Sequence, residues 1–537
     1  MTMASAGNGT NDGAANEVAV IPRPISLERT GAGVRLVAPV TVAAADGVGT
    51  AEGLLAERLP TTASDGTDAQ VTIALDPVLG AEAYELLSDP SGVRITAGDA
   101  AGAFYGVQTL LQLLPPAVFT GEPGSEWEVP GVRISDRPAF VWRGAMLDVA
   151  RHFKSVEFVM RFIDLLALHK LNTLHFHLTE DQGWRLQIDR YPKLTGVGAW
   201  RAETILVRPD HAHPEDERYD RTPHGGFYTK DDIRTILAHA ATRHVRVVPE
   251  VEVPGHSQAA IAAYPELGNT GEQLPVATKW GVIKHILNPE DSTIQFYQHV
   301  FDEVIDLFDS PYIHVGGDEC EKDEWIASPR AQASMRELDL ATEEELQSWF
   351  IRRMAEHIQS RGRTLVGWDE ILEGGLAPGA VVMSWRGEEA GVAAARVGHD
   401  VVMAPFSHTY FDYYQTDDRV TEPYGIGGLI TLDKVYSYRP IPAELTPDEA
   451  HHVLGAQFQL WSEYMPKEVN VEFMAFPRGC AFAETVWHPE PGDYDEFLSR
   501  LRTHAHRLDA LGVAYHPLPR WDGATAGVPM ETPAAPD

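Results

Sequence analysis

The sequence predicts a (β/α)8 barrel of the TIM type preceded by a small α+β domain, and three observations carry that expectation. From residue 140 onward, short β-type runs alternate with amphipathic helical runs about eight times over roughly 380 residues, a size such barrels reach. Before that point, short β-type runs precede one helical run, the pattern of helices packed on one side of a sheet. A chain of 537 residues is too long for one ordinary domain and suits a barrel plus a smaller unit.

In chain order, residues 1–17 are rich in Gly, Ala, Asn and Thr and read as a loose tail, as does the Gly/Ala/Thr/Pro-rich stretch 522–537. The α+β domain spans 18–137. Its strands include the runs Gly33–Ala38 and Ala69–Leu75, and its helix covers Ala103–Leu114. The stretch Ser135–Pro138 is the junction, and the barrel domain spans 138–521. Its candidate strands are Trp142–Leu147, Thr173–Leu178, Val245–Val251, Tyr312–Val315, Thr364–Gly367, Ala380–Ser384, Asp400–Met403 and Gly455–Leu460. Helical periodicity lies between them at Val156–His169, Asp231–His244, Ser292–Leu307, Glu343–Arg361 and Glu388–Val397. A doubly wound sheet is the alternative, but it does not normally use so many alternating units in one domain.

A hydrophobic content of 44% supports a large core, and a formal charge of −35 excludes nucleic acid and anionic membrane as partners, since both require a basic footprint. No apolar run is long enough to span a bilayer. Met1–Asn16 carries neither a basic n-region nor an apolar h-region, so the expectation is a cytoplasmic protein, or a secreted one from which a signal has been removed. Cys320 and Cys480 cannot build a disulfide framework, and neither is given a catalytic role.

Chemistry in a barrel sits past the C-terminal ends of its strands. Reading there, the successive strands are followed by Arg151; by Asp181 and Trp184; by Glu252 and His256; by Asp318 and Glu319; by Trp368-Asp369-Glu370; by Trp385-Arg386; by Tyr410-Phe411-Asp412; and by Trp461-Ser462-Glu463. A lone Trp or carboxylate has a bland reading as core or solvated surface. Every strand end carrying such a residue is hard to explain by packing alone. Flat aromatic faces suit the C–H faces of sugar rings, while carboxylates and Arg bond to hydroxyl pairs, so the ligand class is a polyol, here a small molecule or oligosaccharide. Acidic groups without a nucleophilic Ser or Cys motif point to acid-assisted cleavage of a glycosidic bond.

Asp318 and Glu319 are the centre of this set. Gly316 and Gly317 let the chain turn sharply before them and leave room for a bulky ligand. Two adjacent carboxyls cannot ionise independently, so repulsion and burial are expected to hold one of them protonated near neutral pH, as a general acid requires. A competing motif is His175-Phe176-His177, which puts two imidazoles on one strand face as metal-dependent barrel hydrolases do. No later Lys and His set completes a metal site, and two ligands alone do not make one, so neither a metal nor a cofactor is expected. The His211–His213 pair reads as a solvated loop.

These residues resemble the family 20 glycoside hydrolases, the β-N-acetylhexosaminidases, including bacterial chitobiase-like enzymes. The matching motifs are His314-Val-Gly-Gly-Asp-Glu319, Leu147-Asp-Val-Ala-Arg151, His175-Phe-His-Leu-Thr-Glu-Asp181 with Trp184-Arg185, Val253-Pro-Gly-His256, Gly367-Trp-Asp-Glu370 and Trp461-Ser-Glu463, with the Gly106–Leu113 helix similar to that of the family's N-terminal domain. The resemblance covers about 20 to 520. It departs from the family at Val251-Glu252-Val253, where the third strand often reads Ile-Asp-Met, and in lacking a signal peptide. It implies exo-acting release of terminal N-acetylglucosamine, or N-acetylgalactosamine, from chitobiose-type oligosaccharides or glycoconjugates by a retaining reaction. There the substrate's own 2-acetamido oxygen is the nucleophile and an oxazolinium intermediate forms. Under it Glu319 is the proton donor, Asp318 orients the acetamido group, and Tyr410 bonds to its oxygen. Trp368, Trp385 and Trp461 wall the acetamido pocket, Arg151, Glu463 and Asp412 hold the sugar hydroxyls, and Asp181 with His256 forms a relay behind Glu319. A catalytically silent sugar-binding protein of the same fold and a metal-dependent barrel hydrolase remain as alternatives. Linkage preference, gluco/galacto selectivity and oligomeric state are not legible.

Overall fold

Eight parallel strands close into a barrel at the eight positions where short apolar runs alternate with helices. They are Trp142–Asp148, Thr173–His177, Arg246–Glu250, Tyr312–His314, Thr364–Trp368, Val381–Ser384, Val401–Met403 and Val453–Leu460, and the last pairs in parallel with the first. The first two strands are buried at every residue, as expected when helices cover one face of a parallel sheet and the barrel interior the other. The chain is described by a computed structural model over residues 18–122, 124–207, 217–419, 422–488, 490 and 492–518. The expected tails at 1–17 and 522–537 and the His211–His213 loop lie outside the described residues.

The crossover helices form where the sequence supplies caps and an apolar stripe. Ser155 accepts from Phe158 N ahead of Val156–Leu168, and a reciprocal Thr229/Asp232 capping box opens Lys230–Thr242. Thr342 caps Glu343–Ser360, whose first turn carries Glu343, Glu344 and Glu345, favourable at the positive end of the helix dipole. Asp291–Leu307 and Glu389–Arg396 follow the third and sixth strands. Phe158, Phe162 and Ile163 of one helix, and Phe350, Ile351 and Met354 of another, are buried at helical spacing. Because all eight strands run the same way, their C-terminal ends share one face and their βα loops converge there.

The described residues up to Arg137 form a separate unit together with Gly492–Gly512, whereas Pro138–Pro491 and the described residues from Val513 belong to the barrel unit. The first unit holds a seven-stranded mixed sheet, with Ser26–Val37 and Glu126–Asp136 antiparallel at one side and Val40–Ala44, Thr61–Ala63 and Val71–Leu75 parallel at the other. Its helix Ala100–Leu113 is capped by Asp99 and buries nearly its whole surface. Gly102 and Gly106 allow the close approach, since a Cβ at Gly106 would lie 2.6 Å from Ile95 Cγ2.

The helix Tyr494–Ala510 departs from the expected division, which put it in the barrel domain. Its buried Arg500 donates to Val20 O at 2.9 Å and its buried Arg507 to Ala19 O at 2.8 Å. Those carbonyls lie almost the whole chain away, so no local pattern could reveal the pairing.

Candidate active site

The loop after the fourth strand is shaped by two glycines at positive φ, Gly316 at 67° and Gly317 at 92°. Gly316 backs onto the carboxyl of Glu252: a Cβ there would fall 1.6 Å from Glu252 Oε2. Gln347, from the helix Glu343–Ser360, donates to Gly317 O at 2.7 Å and pins the loop. Two non-glycine residues of the site also sit in the left-handed region, Glu319 at φ 44° and His256 at φ 48°. Such strain persists where the surroundings over-determine it, and it clusters at functional sites. Gly316→Ala is expected to destabilise the barrel unit by about 2 to 5 kcal/mol, combining left-handed backbone strain with overpacking against a buried carboxyl. Calorimetric melting measures this, and an unchanged Tm would mean that Glu252 can move aside freely.

Asp318 is buried, while the side chain of Glu319 is 37% exposed toward the barrel mouth. Between them and the second strand stands His256. Its Nε2 lies 3.5 Å from Glu319 Oε2 and 3.7 Å from Asp318 Oδ2, and its Nδ1 lies 2.8 Å from Glu180 Oε1 and 3.4 Å from Asp181 Oδ2. Burial works against a charge on His256, but the surrounding carboxylates, Glu180 foremost, hold it well above the usual imidazole range.

The two carboxyls are driven apart. Burial pushes Asp318 well above the carboxylate range; the charge of His256 opposes this, and Glu370 and Glu319 add to it. Burial also raises Glu319, but the His256 contact and charge, with Arg151 behind, outweigh it and leave Glu319 below its ordinary value. In the unliganded site Asp318 is therefore the more easily protonated of the two, and Glu319, more exposed and closer to the cation, the less, whereas the expectation put the proton on Glu319. Asp318 Oδ1 is buried without a hydrogen-bond partner among the described residues.

An aromatic wall continues from this pair. Trp385 donates through Nε1 to Glu370 Oε2 at 2.9 Å and through its backbone N–H to Asp369 Oδ2 at 2.8 Å. Its ring lies 6.0 Å from that of Tyr410, near parallel at 23°, and Tyr410 is 6.3 Å from Trp461. Burial, with the charges of Asp412 and Asp318, pushes the Tyr410 hydroxyl well above 10, so it stays protonated and can donate. Trp368 is placed deeper than its expected partners: only 1% exposed, it donates to Glu250 Oε1 at 2.9 Å and lies 5.7 Å from Trp461, a floor under the wall.

The hydroxyl-binding candidates also come together. The Arg151 guanidinium stacks over Trp461 at 4.9 Å, pairs with Asp148 at 3.4 Å and with Glu180, and donates through Nε to Gln182 Oε1 at 3.2 Å. Asp148 shapes this corner by accepting from the N–H groups of Ala150, Arg151 and Ser462. Burial pushes both Asp412 and Glu463 up, and the charge of Glu463 raises Asp412 further. Asp412 Oδ1 and Glu463 Oε2 are buried without a hydrogen-bond partner among the described residues, acceptors suited to a polyhydroxylated ligand.

His175 and His177 have a different destination. His175 Nε2 is 3.0 Å from Glu250 Oε2, His177 Nδ1 faces the same oxygen, and His314 Nδ1 is 2.7 Å from Glu250 Oε1. Trp368 donates to this buried carboxylate, His177 hydrogen-bonds to it, and His175 and His314 crowd it within ion-pair distance, while His314 Nδ1 accepts from the Gly316 N–H at 3.0 Å. The Nε2 atoms of His175, His177 and His314 are buried without a hydrogen-bond partner among the described residues, and ligand atoms of His175, Glu250 and His314 lie within 4.8 Å of one another. Glu180, Glu250, Glu252 and Glu370 are the residues that sequence reading left without roles. Glu180 and Glu370 lie inside matched motifs, Glu252 adjoins Val253, and the i,i+2 spacing of Glu250 and Glu252 is that of one strand face.

The sequence model described as glycosyl hydrolase family 20, catalytic domain, matches residues 140–490, and that of domain 2 of the same family matches residues 17–137. A beta-hexosaminidase of Porphyromonas gingivalis is 47% identical over 450 residues, covering 83% of this chain and 56% of its own length. The chain thus spans little more than half of that relative. A beta-N-acetylhexosaminidase of Cellulomonas fimi is 33% identical over 533 residues, covering 94% of this chain and 98% of its own. Among solved structures, the exo beta-N-acetylglucosaminidase of Vibrio harveyi in complex with N-acetylglucosamine superposes with a TM-score of 0.82 at 34% identity, over 93% of this chain and 78% of that one.

Proposed function

The chain belongs to glycosyl hydrolase family 20, and from that premise we propose that it is an exo-acting β-N-acetylhexosaminidase. Its substrates are terminal non-reducing N-acetylglucosamine, or N-acetylgalactosamine, on chitobiose-type oligosaccharides or glycoconjugates. The observation that carries this reading is the split carboxyl pair Asp318/Glu319 at the foot of the Trp385–Tyr410–Trp461 wall. None of the helices among the described residues is long and apolar enough to cross a membrane.

In the proposed reaction the 2-acetamido oxygen attacks the anomeric carbon as the glycosidic bond breaks. Glu319 gives its proton to the departing oxygen, and an oxazolinium forms. Asp318 accepts the acetamido N–H and faces the positive charge that develops there, while the Tyr410 hydroxyl donates to the acetamido oxygen. Water then adds at the anomeric carbon as its bond to the acetamido oxygen breaks, Glu319 takes the water proton, and the sugar leaves with its 2-acetamido group restored and its configuration retained. The nucleophile arrives already attached to the reacting carbon, so the entropy of bringing it there is largely removed.

This chemistry needs the shared proton on Glu319, whereas the free site favours Asp318. Binding reverses the preference. The acetamido N–H gives Asp318 the hydrogen bond its buried oxygen lacks, and the sugar shields Glu319 from water. One group falls and the other rises. Arg151, Glu463 and Asp412 hold the hydroxyls of the terminal ring, and their burial favours an exo mode in which that ring is enclosed.

The test is hydrolysis of p-nitrophenyl N-acetyl-β-glucosaminide and of chitobiose, followed by NMR of the anomeric product, with a thiazoline analogue of the sugar as inhibitor. Release of the β-anomer and competitive inhibition are expected. Turnover indifferent to the thiazoline would sink the substrate-assisted step. Binding of N-acetylglucosamine without turnover would identify a silent sugar-binding protein, and loss of activity on chelation would return the metal-dependent reading.

A further inference from the structure

We propose that Gln347 and Lys322 are positioning residues that clamp the backbone on both sides of the carboxyl pair, because their side chains join the carbonyl before Asp318 to the carbonyl after Glu319. This rests on the reading of the site given above. Gln347 Nε2 donates to Gly317 O at 2.7 Å, its Oε1 accepts from Lys322 Nζ, and the same Nζ donates to Cys320 O at 2.6 Å. The chain of bonds thus starts at the residue before Asp318 and ends at the residue after Glu319. Gln347 belongs to the helix Glu343–Ser360 and is 3% exposed, a depth at which an apolar side chain is the ordinary occupant. Both ends of its amide are engaged, one as donor and one as acceptor.

The backbone between those two carbonyls needs holding. Gly316, Gly317 and Glu319 all lie at positive φ, and Glu319 does so while carrying a side chain, at 44°. A residue in that state persists where its surroundings over-determine it. The third βα loop packs against the same backbone: a Cβ at Gly255 would lie 3.1 Å from Asp318 O and 3.3 Å from Cys320 Cα. Gln347 and Lys322 add directional bonds to that packing. The clamp is itself well anchored. Leu346, next to Gln347, shares one buried apolar cluster with Cys320 and Trp325, which stand on either side of Lys322 in the sequence. Lys322 Nζ also lies over the Trp325 ring, 6.0 Å from its centre.

Opening the clamp lets Glu319 leave the left-handed region, and both carboxyls then turn away from the ring they serve. Arg151, Asp412 and Glu463 follow the first, seventh and eighth strands, so the grip on the terminal ring stays in place. The signature is a loss in kcat with little change in KM, because displacing a reacting group by about 1 Å costs roughly a hundredfold in rate. A residue that only supported folding would lower Tm and leave the kcat of the folded protein as it was.

The experiment measures kcat, KM and Tm for the full chain and for Gln347→Met, Lys322→Met, Lys322→Arg and the double methionine variant, on p-nitrophenyl N-acetyl-β-glucosaminide and on chitobiose. Gln347→Met is expected to lower kcat by about ten- to a hundredfold and Lys322→Met by about three- to tenfold, with KM held within about threefold. Lys322→Arg keeps a cationic donor and should recover kcat to within about twofold. The double variant should lose no more than Gln347→Met alone, since removing either side chain opens the same chain of bonds. An unchanged kcat in Lys322→Met, a rise in KM in place of the fall in kcat, or losses that multiply in the double variant overturn the clamp. If Gln347→Met does not fold, the two Lys322 variants decide by themselves. A glutamine-selective 15N spectrum judges the clamp without turnover. The Gln347 side-chain amide should exchange slowly with solvent and shift in Lys322→Met, and fast exchange or an unmoved signal overturns it. If the unsubstituted protein turns over neither substrate, the functional reading fails, and this spectrum still decides whether the clamp exists.

Discussion

Glu319→Gln lowers kcat by about two to four orders of magnitude on substrates whose leaving oxygen needs a proton, the range that general acid catalysis contributes. The loss is greatest with chitobiose, smaller with p-nitrophenol as leaving group, and smallest with dinitrophenol, which departs as a stable anion. The gradient follows from the role: only bond breaking that requires protonation feels the loss of the acid. Misfolding is an inadequate explanation for such a loss, because the Glu319 side chain is 37% exposed and glutamine fills the same volume. The variant also loses the basic limb of its pH profile, since an amide does not titrate. Activity near that of the unsubstituted protein on chitobiose would remove Glu319 from the mechanism.

Asp318→Asn costs about two to three orders of magnitude in kcat, comparable to removing one group aimed at developing charge in an enclosed site. Here the loss is independent of the leaving group, because the acetamido group must be aligned and its positive charge met whatever departs. In the substrate complex catalysis needs Asp318 ionised, so kcat of the unsubstituted protein falls as Asp318 takes up a proton at low pH. The asparagine variant should be flat across the same interval. A leaving-group gradient in Asp318→Asn, or an acid limb that survives the substitution, would show that the two carboxyls have been assigned in the wrong order.

Much of the fold was legible because parallel barrel strands are short, apolar on both faces and separated by capped helices. The run Thr173–Leu178 and the helix signal after Ser155 are examples, and all eight expected strands lie within two residues of the observed ones. The site was legible for the same reason: strand ends are recognisable, and the fold brings strand ends together. What local pattern could not reveal was pairing across sequence distance. The grouping of Tyr494–Ala510 with the N-terminal unit depends on two arginines reaching Ala19 and Val20. The choice between Glu180 and Asp181 as the nearer neighbour of His256 is a matter of 2.8 Å against 3.4 Å between adjacent residues of one loop. Trp368, grouped by sequence with Trp385 and Trp461, lies deeper than they do, with its indole N–H bonded to Glu250.

By itself the sequence determined the barrel, the smaller domain before it and the family, and it singled out the carboxyl pair after Gly316-Gly317 as the candidate centre. Those follow from residue type and periodicity, which act over a few neighbours. Only the tertiary structure decided that burial pushes Asp318 up while His256 draws Glu319 down, which carboxylate lies nearest His256, and that the histidines of the second strand face Glu250. Each of these depends on burial and on distances of a few ångström between residues far apart in the chain, and electrostatic energies in a low-dielectric interior change steeply over such distances.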